Sequence, residues 1–385
     1  MTSAPLRSRL LALGLAAALL AGCGYPNRGR PLARLGSNLG LAPESAAYDP
    51  PRLRLGVMPF DAWYSPWEPL DADALGVHRH APGFSLPLLP VGGRSAEASR
   101  GVLYTERAGF LDIAHLRNAV DLTLFVHREV APRLRRDEVV TLELLAAEPD
   151  LYRLTLAAPP WATPAERDAA AVEVAGRVAY LMTTWHEVLT WFGYRGLGVI
   201  TEQPSAFSYD DAASHRVGVE LAMRVLRELA PDPTRASEPG DLELDEAAFD
   251  AAVTAALPPH LRSLGVVPPA EATARMRAVE GAWWDGGRPL LRVIDLGLDG
   301  SPLRARLAPA GGGEPGVEPG VTWDFDPSLA VAGVPLSKWF DVAIEPATFE
   351  AGRIRAAAGV GPGDAVRPRR DFPRLEAALL AMPAP

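Results

Sequence analysis

The feature that most constrains the fold is one long helix, predicted between residues 163 and 193. Thr163 and Glu166 stand at the spacing of a helix capping box, and Pro164 takes the first helical position, where its missing N–H costs no hydrogen bond. Apolar residues then recur every three or four positions until Gly193 interrupts the pattern. The members of this stripe are Val174, Val178, Leu181, Trp185, Val188 and Phe192. A long helix with an apolar face must pack against other elements, so we expect the core to form around it.

Other helices are predicted on both sides of this one. Residues 108–130 are apolar nearly all round a helical count, which indicates a second long and buried helix. Ser208 and Asp211 form a capping pattern that predicts a helix running through about Leu229. Shorter helices are predicted by proline and glycine punctuation at residues 245–256, 258–264 and 269–281.

Strand patterns are short and few. The runs VVTLELL and YRLTL predict two strands joined by a turn at residues 148–150, and LLRVIDLGL predicts a further strand after the sequence WWDGG. We therefore expect an α+β fold that is mainly α, with two long buried central helices, shorter helices and small strand segments.

The first residues are typical of an export signal. Arg7 and Arg9 precede the unbroken apolar run LLALGLAAALLAG, which is shorter than the roughly 20 residues that a membrane span needs. The sequence LAGC that ends at Cys23 resembles the lipobox of bacterial lipoproteins, and this resemblance implies that Cys23 carries the lipid that anchors the chain to a membrane. Cys23 is the only cysteine, so a disulfide within the chain is excluded. Gly24, in place of the aspartate that often retains lipoproteins at the inner membrane, favours an outer-membrane lipoprotein facing the periplasm.

These patterns divide the chain into four parts. We predict a lipoprotein signal peptide at 1–22, a flexible tether at 23–50, a globular domain at 51–300 and a loop-rich C-terminal extension at 301–385. The net charge is −9 and no basic run occurs, so a nucleic-acid partner is not expected. The expected partner is the membrane, reached through the lipid anchor.

Ionisable residues on the two long predicted helices form the candidate site. Asp112 and His115 stand three positions apart in the first of them and would project to the same side. The second carries His186 and Glu187 in its last turns. A zinc protease helix would need a second histidine where Thr190 stands, so that family is excluded.

Ligands can also be supplied by two different helices, as in the metal sites of helix bundles. We expect a divalent ion such as Zn²⁺ to be held by Asp112, His115, His186 and Glu202, a mixed set of nitrogen and oxygen donors. Glu187 would act as the catalytic base that takes a proton from a water bound to the ion.

Each of these residues also has a structural interpretation. Asp112 and His115 could satisfy each other, and His186 could interact with the end of its helix. Ser205 and Ser208 are possible nucleophiles, although no GxSxG elbow surrounds them. Histidines 78 and 80 could bind a metal ion or an anion. The alternative interpretation is that they are surface histidines without a binding role. Tryptophans 283 and 284 could line a pocket or fill the core.

Several segments, taken in order, carry a family resemblance. LGVHR, GVLYTERAGFLDIAHLRN, WHEVLTWFG, SAFSYDDAASHRVG and WWD resemble the bacterial family of domain of unknown function 4056 over roughly residues 51–300. The resemblance implies an exported envelope protein and carries no activity. The positions that match the family are Tyr104, Asp112, His115, Trp185, His186 and Glu187. Asn118 replaces an expected acidic residue, and His215 replaces an expected asparagine.

The leading functional hypothesis is a lipid-anchored, metal-dependent hydrolase of the cell envelope. The alternative is a non-catalytic envelope scaffold or binding lipoprotein, in which the same polar residues only link helices. The distance between the side chains of the two long helices distinguishes these two hypotheses.

Overall fold

The structure is a computed structural model of the whole chain. It describes residues 51, 69–80, 101–136, 138–145, 148, 150–157, 160–194, 203–229, 244–286, 288–297, 303–309, 322–323, 330–335 and 338–384. The predicted signal peptide and tether, with Cys23, and the predicted ligand Glu202 lie outside these residues.

Three helices form the centre of the fold. They are α1 (Ile113–Arg135), α2 (Pro164–Trp191) and α3 (Asp211–Glu228), and each packs against the other two. The ends of α2 are as predicted: Thr163 Oγ1 accepts from the Glu166 N–H at 3.3 Å, and Glu166 Oε2 accepts from the Thr163 N–H at 3.1 Å. Most of α1 and α2 is buried, which confirms the mainly α fold of the α+β class with two long central helices.

The first long helix begins later than predicted. Residues 108–112 belong to a hairpin of β1 (Val102–Thr105) and β2 (Gly109–Asp112), and α1 follows directly. Asp112 ends the strand and caps the helix, since its Oδ1 accepts from the N–H of Ala114 at 2.6 Å and of His115 at 3.3 Å. Gly109 has a φ of +74°, which favours the turn between the strands. The all-round apolar pattern of residues 108–112 therefore reflects a buried hairpin, with every residue of β2 buried.

A glycine sets the distance between α1 and α3. A Cβ atom at Gly218 would overlap the carbonyl oxygen of Leu116, so the two helix backbones touch at this point only because residue 218 has no side chain. This close approach brings the first turns of α1 and α3 together.

One antiparallel sheet has three strands. The predicted pair, β3 (Val140–Leu145) and β4 (Leu151–Leu156), is confirmed, and β11 (Phe340–Glu345) adds to the other edge of β4. The segment predicted as a loop-rich C-terminal extension therefore supplies a strand of this sheet, followed by helices α6 (Ala351–Ala358) and α7 (Pro368–Ala381).

Small elements complete the described residues. Two-residue strands pair as β5 with β6, β7 with β8 and β9 with β10; they are Trp284–Asp285, Arg288–Pro289, Leu303–Arg304, Thr322–Trp323, Ala330–Val331 and Val334–Pro335. The predicted strand LLRVIDLGL is wrong, since residues 290–297 make only an isolated bridge, between Arg292 and Ser208. Its hydrogen bonds go to loops and side chains instead of a sheet neighbour.

The two helices predicted at 245–256 and 258–264 are one helix, α4 (Glu246–Ser263), and α5 (Pro269–Ala278) follows it. The predicted break at Pro258 and Pro259 does not occur, because Leu257 and Leu261 are buried on one continuous face across the two prolines. No helix in the described part of the chain has the length and apolar character that crossing a membrane requires.

A candidate metal centre at three helix ends

Six ionisable residues meet where α1 and α3 begin and α2 ends, and we call them the helix-end cluster. They are Asp112, His115, Glu187, Asp210, Asp211 and His215. Five of them are buried and His115 is nearly so, with 15% of its side chain exposed. The starts of two helices carry partial positive charge, which favours carboxylates at this position.

The cluster has the distances of a metal site. Ligand atoms of His115, Glu187 and His215 all lie within 4.8 Å of one another, and so do those of a second set, Asp112, His115 and Asp210. His115 belongs to both sets, and its Nδ1 lies 3.5 Å from Asp112 Oδ2 and 3.6 Å from Asp211 Oδ1. These side chains could therefore hold a metal ion.

Backbone groups fix two of the carboxylates. Glu187 Oε2 accepts from the Phe207 N–H at 3.0 Å, and Asp211 Oδ2 accepts from the Ser208 N–H at 2.6 Å. Phe207 has a φ of +52°, an uncommon conformation for a bulky residue that points to a constrained turn. The turn before α3 thus orients both acidic groups from one side.

The histidines differ in protonation. Burial alone would lower the pKa of His115, but the Asp211 and Asp112 carboxylates raise it well above its usual value. For His215, burial and then the neighbouring His115 lower the pKa well below its usual value. His215 is therefore neutral, which is the form that binds metals, while His115 without a metal carries a positive charge among carboxylates.

The carboxyl groups also titrate abnormally. Burial and the Asp211 charge raise the pKa of Glu187 to about 8, and burial, Asp211 and Asp112 raise that of Asp210 to about 8. Four carboxyl groups lie in the cluster, whereas nearby positive charge comes from His115 and from Arg292, whose pKa is lowered by burial although the Asp211 carboxylate acts to raise it. The cluster is thus electrostatically suited to a further cation, which would release the protons held by these groups.

A cleft leads to the cluster. The cleft is small, with a cavity volume of about 20 Å³, and it is lined by Val102, Asp112, His115, Ser205, Ser208, Tyr209, Asp210, Asp211, Trp284 and Pro289. Its walls combine the acidic groups with the aromatic rings of Tyr209 and Trp284, so a ligand could contact apolar and charged surfaces together.

The structure brings together three of the residues singled out from the sequence, namely Asp112, His115 and Glu187. His186 belongs to neither set of possible ligands, and its Nδ1 lies 2.9 Å from Glu148 Oε1. Adjacent residues of an α-helix project about 100° apart, so His186 and Glu187 face different neighbours. The role of Glu202 stays a prediction, because this residue lies outside the described chain.

Sequence reasoning missed His215 and Asp210. The available signal was spacing: His215 stands four residues after Asp211 and so lies on the same face of α3. The pattern of Ser208 and Asp211 predicted only a helix cap. Only half of that cap forms, since Ser208 Oγ donates to Asp210 Oδ1 at 2.8 Å and Asp210 is the N-cap residue of α3.

The serines and tryptophans considered from the sequence lie at the cleft or in the core. Ser205 and Ser208 both line the cleft. Trp284 lines it too, while its Nε1 donates to the Met276 carbonyl at 2.9 Å, and Trp283 is buried in a small apolar cluster with Phe110. Tryptophan 284 therefore serves both the pocket and the core.

Comparison with known proteins identifies a family. Residues 58–292 match the family described as protein of unknown function (DUF4056), and this match covers more than half of the 385 residues. The chain belongs to this family. Neither a curated protein nor a solved structure matches the chain. The helix-end cluster lies entirely within the matched residues.

Proposed function

We propose that the protein is a metal-dependent hydrolase of the cell envelope, with His115, Glu187 and His215 as the ligands of a divalent ion such as Zn²⁺. The observation that carries this proposal is the convergence of two imidazoles and one carboxylate to within 4.8 Å of one another beside a cleft. Two histidines and a glutamate are a known ligand set of catalytic zinc, which keeps a fourth position for water or substrate.

The proposed ligands differ from the set expected from the sequence. His215 takes the place of His186, whose ring nitrogen is engaged by Glu148, and Glu187 moves from base to ligand. A divalent ion at this position would lower the pKa of a bound water towards about 7.

Asp210 is the proposed general base. It lines the cleft, and its Oδ1 accepts a hydrogen bond from Ser208 Oγ, which orients the carboxyl group. Its pKa, raised to about 8 by burial and by Asp211, would fall when a cation binds nearby, leaving a carboxylate able to accept a proton near neutral pH.

The envelope location rests on the N-terminus. The apolar run before Cys23 and the lipobox-like LAGC support export and a lipid anchor, through which the body would face the periplasm from the outer membrane. Labelling cells with a radioactive fatty acid tests the anchor: the chain should be labelled, and the variant Cys23→Ala should not.

One observation favours the non-catalytic alternative. With His115 protonated, its ring lies 3.5 Å and 3.6 Å from Asp112 and Asp211, so the cluster could also act as an ionic link between α1 and α3. In a scaffold or binding protein, His115, Asp112 and Asp211 would serve only as this ionic link.

Metal analysis of the purified protein tests the proposal. After incubation with Zn²⁺ and gel filtration, His215→Ala should hold about one equivalent of zinc less than the unchanged protein. His186→Ala is the matched control, because it removes the imidazole next to Glu187 in sequence, which faces Glu148 instead of the cluster, and this variant should hold as much zinc as the unchanged protein. Equal zinc in His215→Ala would overturn the ligand set.

A panel of chromogenic phosphate esters, carboxylic esters and amides then tests hydrolysis. Any activity found should be lost by at least about 100-fold in Asp210→Asn while zinc content is kept, because removing a general base costs about 10²–10⁴ in rate. Zinc binding without hydrolysis of any member of the panel would favour the binding-protein alternative.

A further inference from the structure

The turn that precedes α3 orients acidic side chains of the helix-end cluster through its backbone. We call residues 203–208 the donor turn. The Phe207 N–H donates to Glu187 Oε2 at 3.0 Å. The Ser208 N–H donates to Asp211 Oδ2 at 2.6 Å. The position of the donor turn therefore decides where these two carboxyl groups point.

The conformation of the donor turn needs support from outside. Phe207 has a φ of +52°, in the left-handed region that a residue with a large side chain rarely adopts. The regular structure of the turn is one short 3₁₀ helix, Gln203–Ser205, a kind of helix with poor hydrogen-bond geometry. A strained conformation persists only where the surrounding structure fixes it.

Arg292 supplies this support from the neighbouring segment of the chain. Its Nη1 donates to the Ala206 carbonyl at 2.8 Å, and its Nη2 donates to the Pro204 carbonyl at 2.5 Å. The next residue, Val293, donates its N–H to the Phe207 carbonyl at 2.9 Å. Ala206 is fully buried, so water would not replace the guanidinium at its carbonyl oxygen.

The hydrogen bonds of the donor turn go to two different partners. Its carbonyl groups accept from Arg292 and Val293, whereas its N–H groups donate to Glu187 and Asp211. A shift of the turn relative to Arg292 would therefore also move the two N–H donors relative to the carboxyl groups. Arg292 thus acts on the cluster through the backbone of the turn.

Arginine suits this position by its shape and by its charge. Its terminal nitrogens are fixed in one plane and can hold two carbonyl oxygens at once, whereas a lysine ammonium is a point charge on a flexible stem. Burial lowers the pKa of Arg292, while the Asp211 and Glu187 carboxylates act to raise it. The guanidinium therefore also lies within electrostatic reach of both acids.

We propose that Arg292 is a positioning residue of the helix-end cluster, which acts through the donor turn to hold Glu187 and Asp211 where a divalent ion binds. This inference rests on the proposed function, because it takes Glu187 as a ligand of that ion. Replacing a group that orients a metal ligand by hydrogen bonds typically lowers metal affinity by about 10–100-fold.

Zinc titration of Arg292→Lys, well below Tm, tests the proposal. Lysine keeps the positive charge but does not hold both carbonyls in one plane, so the Kd for Zn²⁺ should rise by at least about tenfold. A lower Tm with an unchanged Kd would overturn the proposal, because Arg292 would then stabilise the fold without positioning a ligand.

Arg355→Lys is the matched control. Arg355 of α6 also holds two backbone carbonyls, since its Nε donates to Asp364 at 2.8 Å and its Nη2 donates to Pro346 at 2.9 Å. None of these residues belongs to the helix-end cluster or to the donor turn, so this variant should bind zinc as tightly as the unchanged protein. An equal rise of Kd in both lysine variants would overturn a specific role of Arg292.

Hydrogen exchange of the metal-free protein gives a second readout that does not depend on zinc. In Arg292→Lys the amides of Phe207 and Ser208 should exchange at least about tenfold faster, because the turn that carries them has lost a support. Amides in the middle of α2 should exchange at an unchanged rate. Unchanged exchange of Phe207 and Ser208 would show that Arg292 does not hold the donor turn.

The two readouts distinguish the failure of this proposal from the failure of the proposed function. If Arg292→Lys binds zinc as tightly as the unchanged protein does, the positioning role is wrong and the metal site stands. If the unchanged protein binds no zinc, the metal site is wrong, and hydrogen exchange alone decides whether Arg292 holds the turn. Should Arg292→Lys fail to fold, Arg292→Gln replaces it with the same expected results, since its amide can still donate to a carbonyl.

Discussion

Neighbouring residues near the end of α2 enter two very different polar regions. Glu187 lies in the helix-end cluster, where carboxyl groups outnumber the positive charges and titrate far from their usual range. Trp185 and His186 enter what we call the turn network, where Trp185 Nε1 donates to Asp150 Oδ2 at 2.6 Å and His186 Nδ1 meets Glu148 Oε1 at 2.9 Å.

The difference separates structural from functional polar groups. In the turn network each buried polar group has a complementary partner, which is the usual condition for stability in an interior. In the helix-end cluster, four acidic groups are gathered next to a cleft, and ionising all of them costs stability unless a cation or a substrate compensates their charge. We therefore expect substitutions in the turn network to affect folding, and those in the helix-end cluster to affect metal binding.

The largest effect on stability is expected from Asp150→Ala. Asp150 is fully buried and accepts from the Trp185 indole and, at 2.7 Å, from the Ala347 N–H. Its removal leaves the buried indole N–H and the partly buried Ala347 N–H unsatisfied and should lower the free energy of unfolding by about 3 kcal/mol. Urea denaturation measures this loss, and zinc content should not change. If Asp150→Ala lost zinc and kept its stability, the assignment of the turn network to folding instead of metal binding would be wrong.

Gly218→Ala tests the packing that assembles the helix-end cluster. The new Cβ would overlap the Leu116 carbonyl and push α1 and α3 apart, at a cost of about 2 kcal/mol and with weaker zinc binding. Gly352→Ala in α6 is the matched control: nothing lies within 4 Å of its added Cβ, and better helix propensity should raise stability by about 0.5–1 kcal/mol. Equal behaviour of the two variants would show that the close helix contact is unimportant.

Glu187→Gln tests how the raised pKa of Glu187 makes the stability of the protein depend on pH. Because burial and Asp211 raise the pKa of Glu187 from 4.5 to about 8, the folded chain holds this proton more tightly than the unfolded chain. The proton on Glu187 therefore stabilises the folded chain. This stabilisation is complete below pH 4.5 and is lost as the pH rises towards about 8. In EDTA, the decline in stability between these pH values should be smaller in Glu187→Gln, by about 1–3 kcal/mol.

The measurement is a series of urea denaturations at several pH values, with and without Zn²⁺. Zinc should protect the unchanged protein and have a much smaller effect on the variant, since one proposed ligand is gone. A pH dependence identical in both proteins would show that Glu187 does not titrate as described.

The smallest effect is expected from the His186 and Glu148 pair. A double-mutant cycle with His186→Gln and Glu148→Gln should give a coupling energy of about 1 kcal/mol, because the two side chains lie in hydrogen-bond contact. All three variants should retain zinc. Zinc loss in His186→Gln alone would restore His186 as a ligand.

The candidate site was only partly predictable from the sequence. Asp112 and His115 were found because two ionisable residues in an apolar segment need a reason to be there. His215 was not found, since its spacing from Asp211 names no ligand set by itself and its importance depends on contact with His115 of α1, about a hundred residues earlier in the chain. Likewise, burial of His78 and His80 results from α4, which no local pattern connects to residues 76–80.

The sequence by itself determined the elements that depend on neighbouring residues. The capping box at Thr163, the end of α2 at Gly193 and the β3–β4 hairpin follow from contacts within a few positions, so their chemistry is visible in the order of residues. Tertiary structure alone decided that Glu187 rather than His186 faces His115, and that His215 lies opposite it. Those outcomes depend on the rotation and spacing of packed helices, including the close contact of α1 and α3 that Gly218 permits, and local residue patterns do not encode them.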